Sequence, residues 1–412
     1  MKYNRTILIL ILGLLSALGP FSIDTYLSGF PIIAQDLGVT VDYVSYTLSS
    51  FFIGISIGQM LYGPLLDRFG RKKPMLIGLT IYVVASAACA VAGSIQWLIA
   101  FRLLQAMGGC VGMVSSRAIV RDVFPVHESA KIFSILILIL GVSPMIAPTV
   151  GSYLIVHLGW HSVFWLQAGI GLFLLFSVFF FLPETKGPDT SLSLRPAHIT
   201  KTFWGIFKNP QFFTYAFAGS MVSGGIYAYV SGAPFVFMKI FGLSEQQFGW
   251  VFSLLAGGLI LSSQLNGLVL RRYYSETIVK YSLSIQTGFG LLLFATAVFG
   301  WLNIYSAIVL IFLFLSCQGF SFPNASALSL APFSKEAGSA SALMGALQMG
   351  IGSLAAALVG ALSNGTTLPM TGVMAGCALL GLAIFTIGRL VIKKGRKDTR
   401  TFMAITTGKA IQ

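Results

Sequence analysis

The chain has 412 residues, 56% of them hydrophobic and only 9% charged, with a mean hydropathy of +0.86 and a net charge of +14. A soluble domain is about 45–50% apolar and about 25% charged, so these totals exclude a soluble globular fold and leave an integral membrane protein. A nucleic-acid binder is excluded too, because the positive charges sit in short loops between apolar runs.

At about 20 apolar residues per span, this length has room for about twelve spans and their loops. The start, MKYNRTILILILGLLSALG, has the basic tip and apolar run of a signal peptide. The run continues past Pro20 to about Ile33, and no soluble domain follows, so it is expected to be retained as the first span. The predicted spans are 6–34, 43–66, 75–93, 96–121, 129–156 and 160–182, then 209–238, 246–270, 277–299, 302–330, 338–362 and 370–392. The longest polar connection, 183–208, divides them into two groups of six. The expected organisation is therefore an N-terminal bundle at 1–182, a linker at 183–208, a C-terminal bundle at 209–393 and a tail at 394–412. With the N-terminus inside, 24 Lys and Arg fall on the cytoplasmic side and only Lys239 outside. The positive-inside rule then puts both termini in the cytoplasm.

An internal repeat links the two groups. Residues 23–31 read IDTYLSGFP and residues 226–234 read IYAYVSGAP, with five of nine positions identical at an offset of 203. Gly63-Pro-Leu-Leu-Asp-Arg-Phe echoes Gly267-Leu-Val-Leu-Arg-Arg-Tyr at an offset of 204. The offset covers six helices, an even number, so the copies share orientation about an axis along the membrane normal. The fold class is an all-α membrane protein of twelve helices in two pseudo-symmetric six-helix bundles.

Asp24 is one of twelve acids in the chain and the only one inside a predicted span. A carboxylate there costs roughly 2.5–3.5 kcal/mol, which marks a partner, a cavity or a transported ion. Asp24 lies nineteen residues beyond Arg5, about 28 Å along a helix, and Arg102 lies six residues into the oppositely directed fourth span, roughly 9 Å. The two therefore share a depth, and an Asp24–Arg102 pair, direct or through water and joined by Gln105, is expected. It admits two readings, a proton switch or a fixed ion pair. Apolar surroundings favour a neutral carboxyl and a nearby Arg favours its ion, so moving the Arg would move a proton. Cys89, Cys110, Cys317 and Cys377 lie singly in apolar runs, so no metal site, disulfide framework or cofactor is expected. His127, His157, His161 and His198 fall in or near loops and read as structural.

Residues 63–73, GPLLDRFGRKK, resemble the major facilitator superfamily signature G-x-L-x-D-R-x-G-R-[KR] at every position. The resemblance makes Gly63, Asp67, Arg68, Gly70, Arg71 and Lys72 a conformational gate. Asp67 would then face the N-terminus of the eleventh span near Gly338 and Ser339, or pair with Arg117 or Arg121. FRLLQAMGG at 101–109 resembles the fourth-span motif of the drug:proton antiporter branch, with Ala106 where glycine is usual. GVSPMIAPTVGS at 141–152 resembles its fifth-span motif, where Pro144, Pro148 and Gly151 are expected to give a kinked, closely packed helix. With IDTYLSGFP, SRAIVRDVF at 116–124, SGAPFVF at 231–237 and FPNASALSL at 322–330, the chain is similar to the Bcr/CflA drug-resistance transporters. That likeness implies a proton-driven exporter of small drugs or amphipathic metabolites, multi-pass in the bacterial inner membrane. Its expected partners are a small-molecule substrate, protons and the bilayer, and it acts as a monomer. A proton symporter importing a nutrient or siderophore on the same fold stays open. Tyr26, Tyr229, Phe235, Phe320, Asn324, Gln348 and Met349 are the expected substrate cavity, from spans at the interface of the two halves.

Overall fold

A computed structural model describes residues 5–124, 126–189, 196–333 and 337–407. Among the described residues every regular element is helical. The N-terminal half comprises α1 (Arg5–Asp24), a 3-10 turn (Leu27–Gly29), α2 (Phe30–Asp36), α3 (Val41–Phe69), α4 (Lys72–Ala90), α5 (Ile95–Val123), α6 (Val126–Leu158) and α7 (His161–Phe181). A linker helix, α8 (Pro196–Phe207), precedes α9 (Pro210–Pro234) and a π-helical turn (Phe235–Ile240). Then follow α10 (Glu245–Val269), α11 (Ser275–Val298), α12 (Ile304–Leu330), α13 (Ala337–Ala361) and α14 (Leu368–Thr407). Eleven of the predicted spans are long and apolar enough to cross a membrane, and the fifth lies in α6, whose described apolar part is Val142–Leu158.

Local chemistry explains where the helices start, and it repeats between the halves. The loop after the first span turns at Gly38 (φ 65°) and hands over to Thr40, whose hydroxyl caps α3 through the Tyr43 amide. The loop after the seventh span turns at Gly242 (φ 73°) and hands over to Ser244, which caps α10 in a reciprocal box with Gln247. Both pairs are 204 residues apart, the offset of the sequence repeat. Each glycine supplies a positive φ, and each hydroxyl satisfies an orphan helix amide.

The first span, expected as one helix, is interrupted. It leaves α-geometry after Asp24, passes through the 3-10 turn and restarts at Phe30, with Pro31 in the first turn of α2. The repeat-related seventh span carries its own irregularity just after Pro234. By contrast α6 runs as one helix through Pro144 and Pro148.

The halves meet where α3 crosses α13 and where α6 crosses α10. The Ser353 hydroxyl of α13 donates to the Ser49 carbonyl of α3 at 2.9 Å, and the Ser56 hydroxyl donates to the Ala346 carbonyl at 2.9 Å. Gly249 of α10 lies against the Pro148 carbonyl of α6, where an added Cβ would come within 3.3 Å. Small residues at these crossings let the backbones approach closely.

Candidate functional site

The site is built on the broken first span. Asp24 ends α1 and is only 6% exposed. No hydrogen bond or ion pair holds its carboxyl among the described residues. Tyr227 and Tyr229 of α9 lie near it across the interface. Tyr227 is the repeat counterpart of Asp24. Its ring packs 4.5 Å from Phe52 of the opposite half, and its hydroxyl lies 3.6 Å from the Met349 sulfur.

Arg102 does not pair with Asp24 in this conformation. It is fully buried, with its guanidinium carbon 4.2 Å from the Tyr26 ring centre, 4.0 Å from Phe51 and 5.8 Å from Phe164. Its Nη1 donates to the Gln105 Oε1 at 2.6 Å; Nε and Nη2 have no partner among the described residues. An aromatic cage thus stands where the carboxylate was expected. The reason is azimuth. Successive residues turn about 100° around a helix, whereas positions three apart share a face. Ser22 and Thr25 face the Arg102 network, and Asp24 points from another face of the helix.

The two groups are still connected. Gln105 Nε2 donates to the Gln167 Oε1 at 2.7 Å and to the Ser86 hydroxyl at 2.7 Å. Gln167 Nε2 in turn donates to the Thr25 hydroxyl at 2.8 Å and reaches the Ser22 carbonyl at 3.4 Å. Ser22 and Tyr82 share a hydrogen bond of 2.6 Å. A buried relay therefore runs from Arg102 through Gln105 and Gln167 to the residue next to Asp24. Sequence reasoning missed Gln167, Ser86 and Thr25 because it searched the spans for charges; an uncharged amide in the otherwise apolar sixth span was the available signal.

Close backbone contacts fix this geometry. In α5, a Cβ on Gly108 would lie 2.6 Å from the Gly78 carbonyl of α4, so the helix bearing Arg102 and Gln105 lies tight against its neighbour. In α6, a Cβ on Gly151 would fall onto the carbonyl oxygen of Thr25, inside the break itself. Gly151→Ala is accordingly expected to destabilise by about 1–3 kcal/mol, since a backbone carbonyl cannot swing aside. Gly169→Ala, where nothing lies within 4 Å, is the neutral control. Apparent melting temperatures of the two purified variants check this.

The signature loop forms a second constellation at the linker end. Arg71 binds Asp67 at 2.8 Å and Asp122 at 2.7 Å. Burial works against its charge, but the hydrogen bonds to Asp122 and Asp67 outweigh it and hold the guanidinium above its ordinary range. Glu184 accepts from the Arg71 amide at 2.6 Å and the Lys72 amide at 3.1 Å, capping α4. Gly70 (φ 82°) leaves room for that carboxylate; a Cβ there would come within 2.9 Å of it. Lys186 lies 3.6 Å from Asp67, and the Lys72 ammonium donates to the Phe179 carbonyl at 2.8 Å. Among the described residues Asp67 takes Arg71 and Lys186. The side chains of Gly338 and Arg121 lie outside the described residues. Gly63 faces open space, with nothing within 4 Å of an added Cβ. Asp122 and Glu184 were not singled out from the sequence, because their partners are distant along the chain. Removing the cap in Glu184→Ala is expected to cost about 0.5–2 kcal/mol, read as a lower melting temperature.

The expected cavity residues separate. Met349 and Gln348 lie beside Tyr227 and Ser223 at the interface, Gln348 donating to the Ser223 hydroxyl at 3.3 Å. Tyr26 belongs to the Arg102 cage and bonds the Thr47 hydroxyl at 2.9 Å. Asn324 is buried within its own half, donating to the Asn266 side chain at 2.7 Å. Tyr229 is buried and stacks on Phe252 at 5.6 Å. Phe320 is half-buried, and Phe235 lines a small crevice at the far end, with Asp42, Ser45 and Met370.

An all-helical membrane protein with two repeated halves and a buried carboxyl at a helix break has the build of a secondary transporter. The family model described as Major Facilitator Superfamily matches residues 10–357, and the chain belongs to that superfamily. It is 34% identical over 385 residues to the uncharacterised MFS-type transporter YdgK of Bacillus subtilis, covering 93% of this chain and 95% of that one. It is 31% identical over 379 residues to the bicyclomycin resistance protein homologue of Haemophilus influenzae, covering 92% and 95%. Multidrug resistance protein MdtL of Escherichia coli is 27% identical, covering 89% and 91%. These relatives support the placement with Bcr/CflA-type transporters that the motifs suggest. Among solved structures, the fold matches a bacterial homologue of the human lysosomal transporter Spinster, inward-facing and unoccupied, with a TM-score of 0.69, 15% identity and 93% and 95% coverage. It also matches a point mutant of the nucleoside transporter NupG, with a TM-score of 0.69, 18% identity and 93% and 100% coverage.

Proposed function

We propose that this chain is a proton-coupled antiporter that exports small drugs or amphipathic metabolites across the bacterial inner membrane by alternating access. It works as a monomer with both termini cytoplasmic and with bundles at 1–182 and 209–393 joined by the linker 183–208. The observation that carries it is Asp24, a buried carboxyl without a partner among the described residues, at a helix break facing the other half. Such a group binds or releases a proton according to its hydration and its distance from other charges. The caged Arg102 is the charge that can alter it, through Gln105, Gln167 and Thr25. Substrate enters from the linker side against Tyr227, Gln348 and Met349, an aromatic and thioether surface suited to varied apolar ligands. Its binding displaces the Asp24 proton. The halves then reorient, with Asp67, Arg71, Asp122 and Glu184 rearranging at the linker end. Substrate leaves, and Asp24 is reprotonated from outside.

The drug-resistance relatives support export over import by a symporter on the same fold. Flux direction separates the two. In inverted vesicles with an acid interior, an exporter accumulates a fluorescent drug and loses it when the pH gradient collapses. Accumulation in right-side-out vesicles with an acid exterior would instead establish the symporter.

A further inference from the structure

We infer that the groove between linker helix α8 and the adjoining ends of α9 and α14 binds an anionic phospholipid. The groove holds about 460 Å³, within the roughly 300–1,000 Å³ of small-molecule sites. Ile384, Ile387 and Val391 of α14 line one wall at helical spacing, a stripe about 10 Å long. Phe213 of α9 lines the other, and Trp204 and Phe207 of α8 close it, stacked with centroids 5.7 Å apart. Trp204 is 58% exposed, at the level where two membrane spans end. That is the depth at which tryptophan marks the membrane interface.

Charge identifies the occupant. The Lys208 ammonium stands 5.3 Å from the Trp204 ring centre at the groove's rim. Lys201 is three residues before Trp204 and seven before Lys208, so all three share a face of the helix. No acid pairs with either lysine among the described residues. An apolar slot at the end of the spans, with Lys208 at its rim, suits an acyl chain below and a phosphate above. Basic pockets of this kind between spans hold anionic headgroups. A lipid seated there ties the linker helix to the C-terminal bundle. That the leaflet is the cytoplasmic one rests on the proposed topology; headgroup selection does not.

Trp204 provides the probe. The full chain is reconstituted in nanodiscs with brominated phosphatidylglycerol or brominated phosphatidylcholine at equal low mole fraction. The Trp204 component is taken as wild type minus Trp204→Phe. It is expected to be quenched about fivefold more effectively by the anionic lipid, equivalent to about 1 kcal/mol per basic residue. Lys208→Gln should bring the two lipids near parity, and Lys280→Gln should not. Equal quenching of wild type by both lipids would reduce the groove to ordinary lipid contact and overturn the proposal, as would a wild type indistinguishable from Trp204→Phe. Native mass spectrometry of retained phosphatidylglycerol, wild type against Lys208→Gln, decides independently of the tryptophan variant. Equal retention there also overturns it.

Discussion

Asp24→Asn is expected to abolish accumulation of substrate against a gradient while leaving downhill movement in place. The amide matches the carboxyl in size and polarity, so the break at Thr25 and its contact with Gly151 survive. What it removes is the only proton-binding change of charge inside the first span. At 100 mV, one proton exchanged for a neutral substrate supports roughly a 50-fold gradient, since a charge is worth about 2.3 kcal/mol. The variant should therefore fall from a concentration ratio of that order to one. Proteoliposomes with an imposed pH gradient and a radiolabelled or fluorescent drug provide the measurement. Uphill transport by Asp24→Asn would remove Asp24 from the coupling step.

Arg102→Met is expected to eliminate coupled transport without loss of stability. A guanidinium buried with a hydrogen bond to Gln105 and three aromatic faces keeps only part of what it loses on leaving water. Effective desolvation is several kcal/mol per ion, against about 0.5–2 kcal/mol for a cation–π contact. Replacing such a charge with a well-packed apolar side chain of similar volume is often neutral or stabilising. The apparent melting temperature should hold or rise while coupled transport disappears. A variant that both melts several degrees lower and fails to transport would mark Arg102 as a packing element. Gln167→Leu is the complementary test of the relay, since it cuts the link from Gln105 to Thr25 and leaves both charged groups in place.

Depth was legible in the sequence, and direction around the helix was not. Counting residues from Arg5 and from the outer end of the fourth span placed Asp24 and Arg102 in one bundle at one level. It carried no information on which face of α1 Asp24 occupies, and that face turns toward α9. The repeat was legible in IDTYLSGFP and IYAYVSGAP, and the structure adds its loop chemistry at Gly38–Thr40 and Gly242–Ser244. The break in the first span was missed although Pro31, which cannot donate to the carbonyl four residues back, was in view; the contacts of Thr25 with Gly151 and Gln167 were not legible, since they come from α6 and α7. Pro20, the residue most suggestive of a break, is accommodated within α1. The linker read as polar from Lys186, Arg195 and Lys201, yet Ile199, Phe203, Ile206 and Phe207 recur at helical spacing, and α8 occupies that stretch. Likewise Asp122 and Glu184 complete the signature loop by contacts that span 51 and 113 residues of chain.

The central claim is that substrate and proton compete at Asp24. Its most direct test is proton release from the purified protein in weakly buffered detergent as candidate drugs are added, with wild type beside Asp24→Asn. Release from wild type alone, saturating with drug concentration, is the predicted result. No release from either protein, with drug binding shown independently by calorimetry, would contradict it and leave Asp24 as a structural carboxyl.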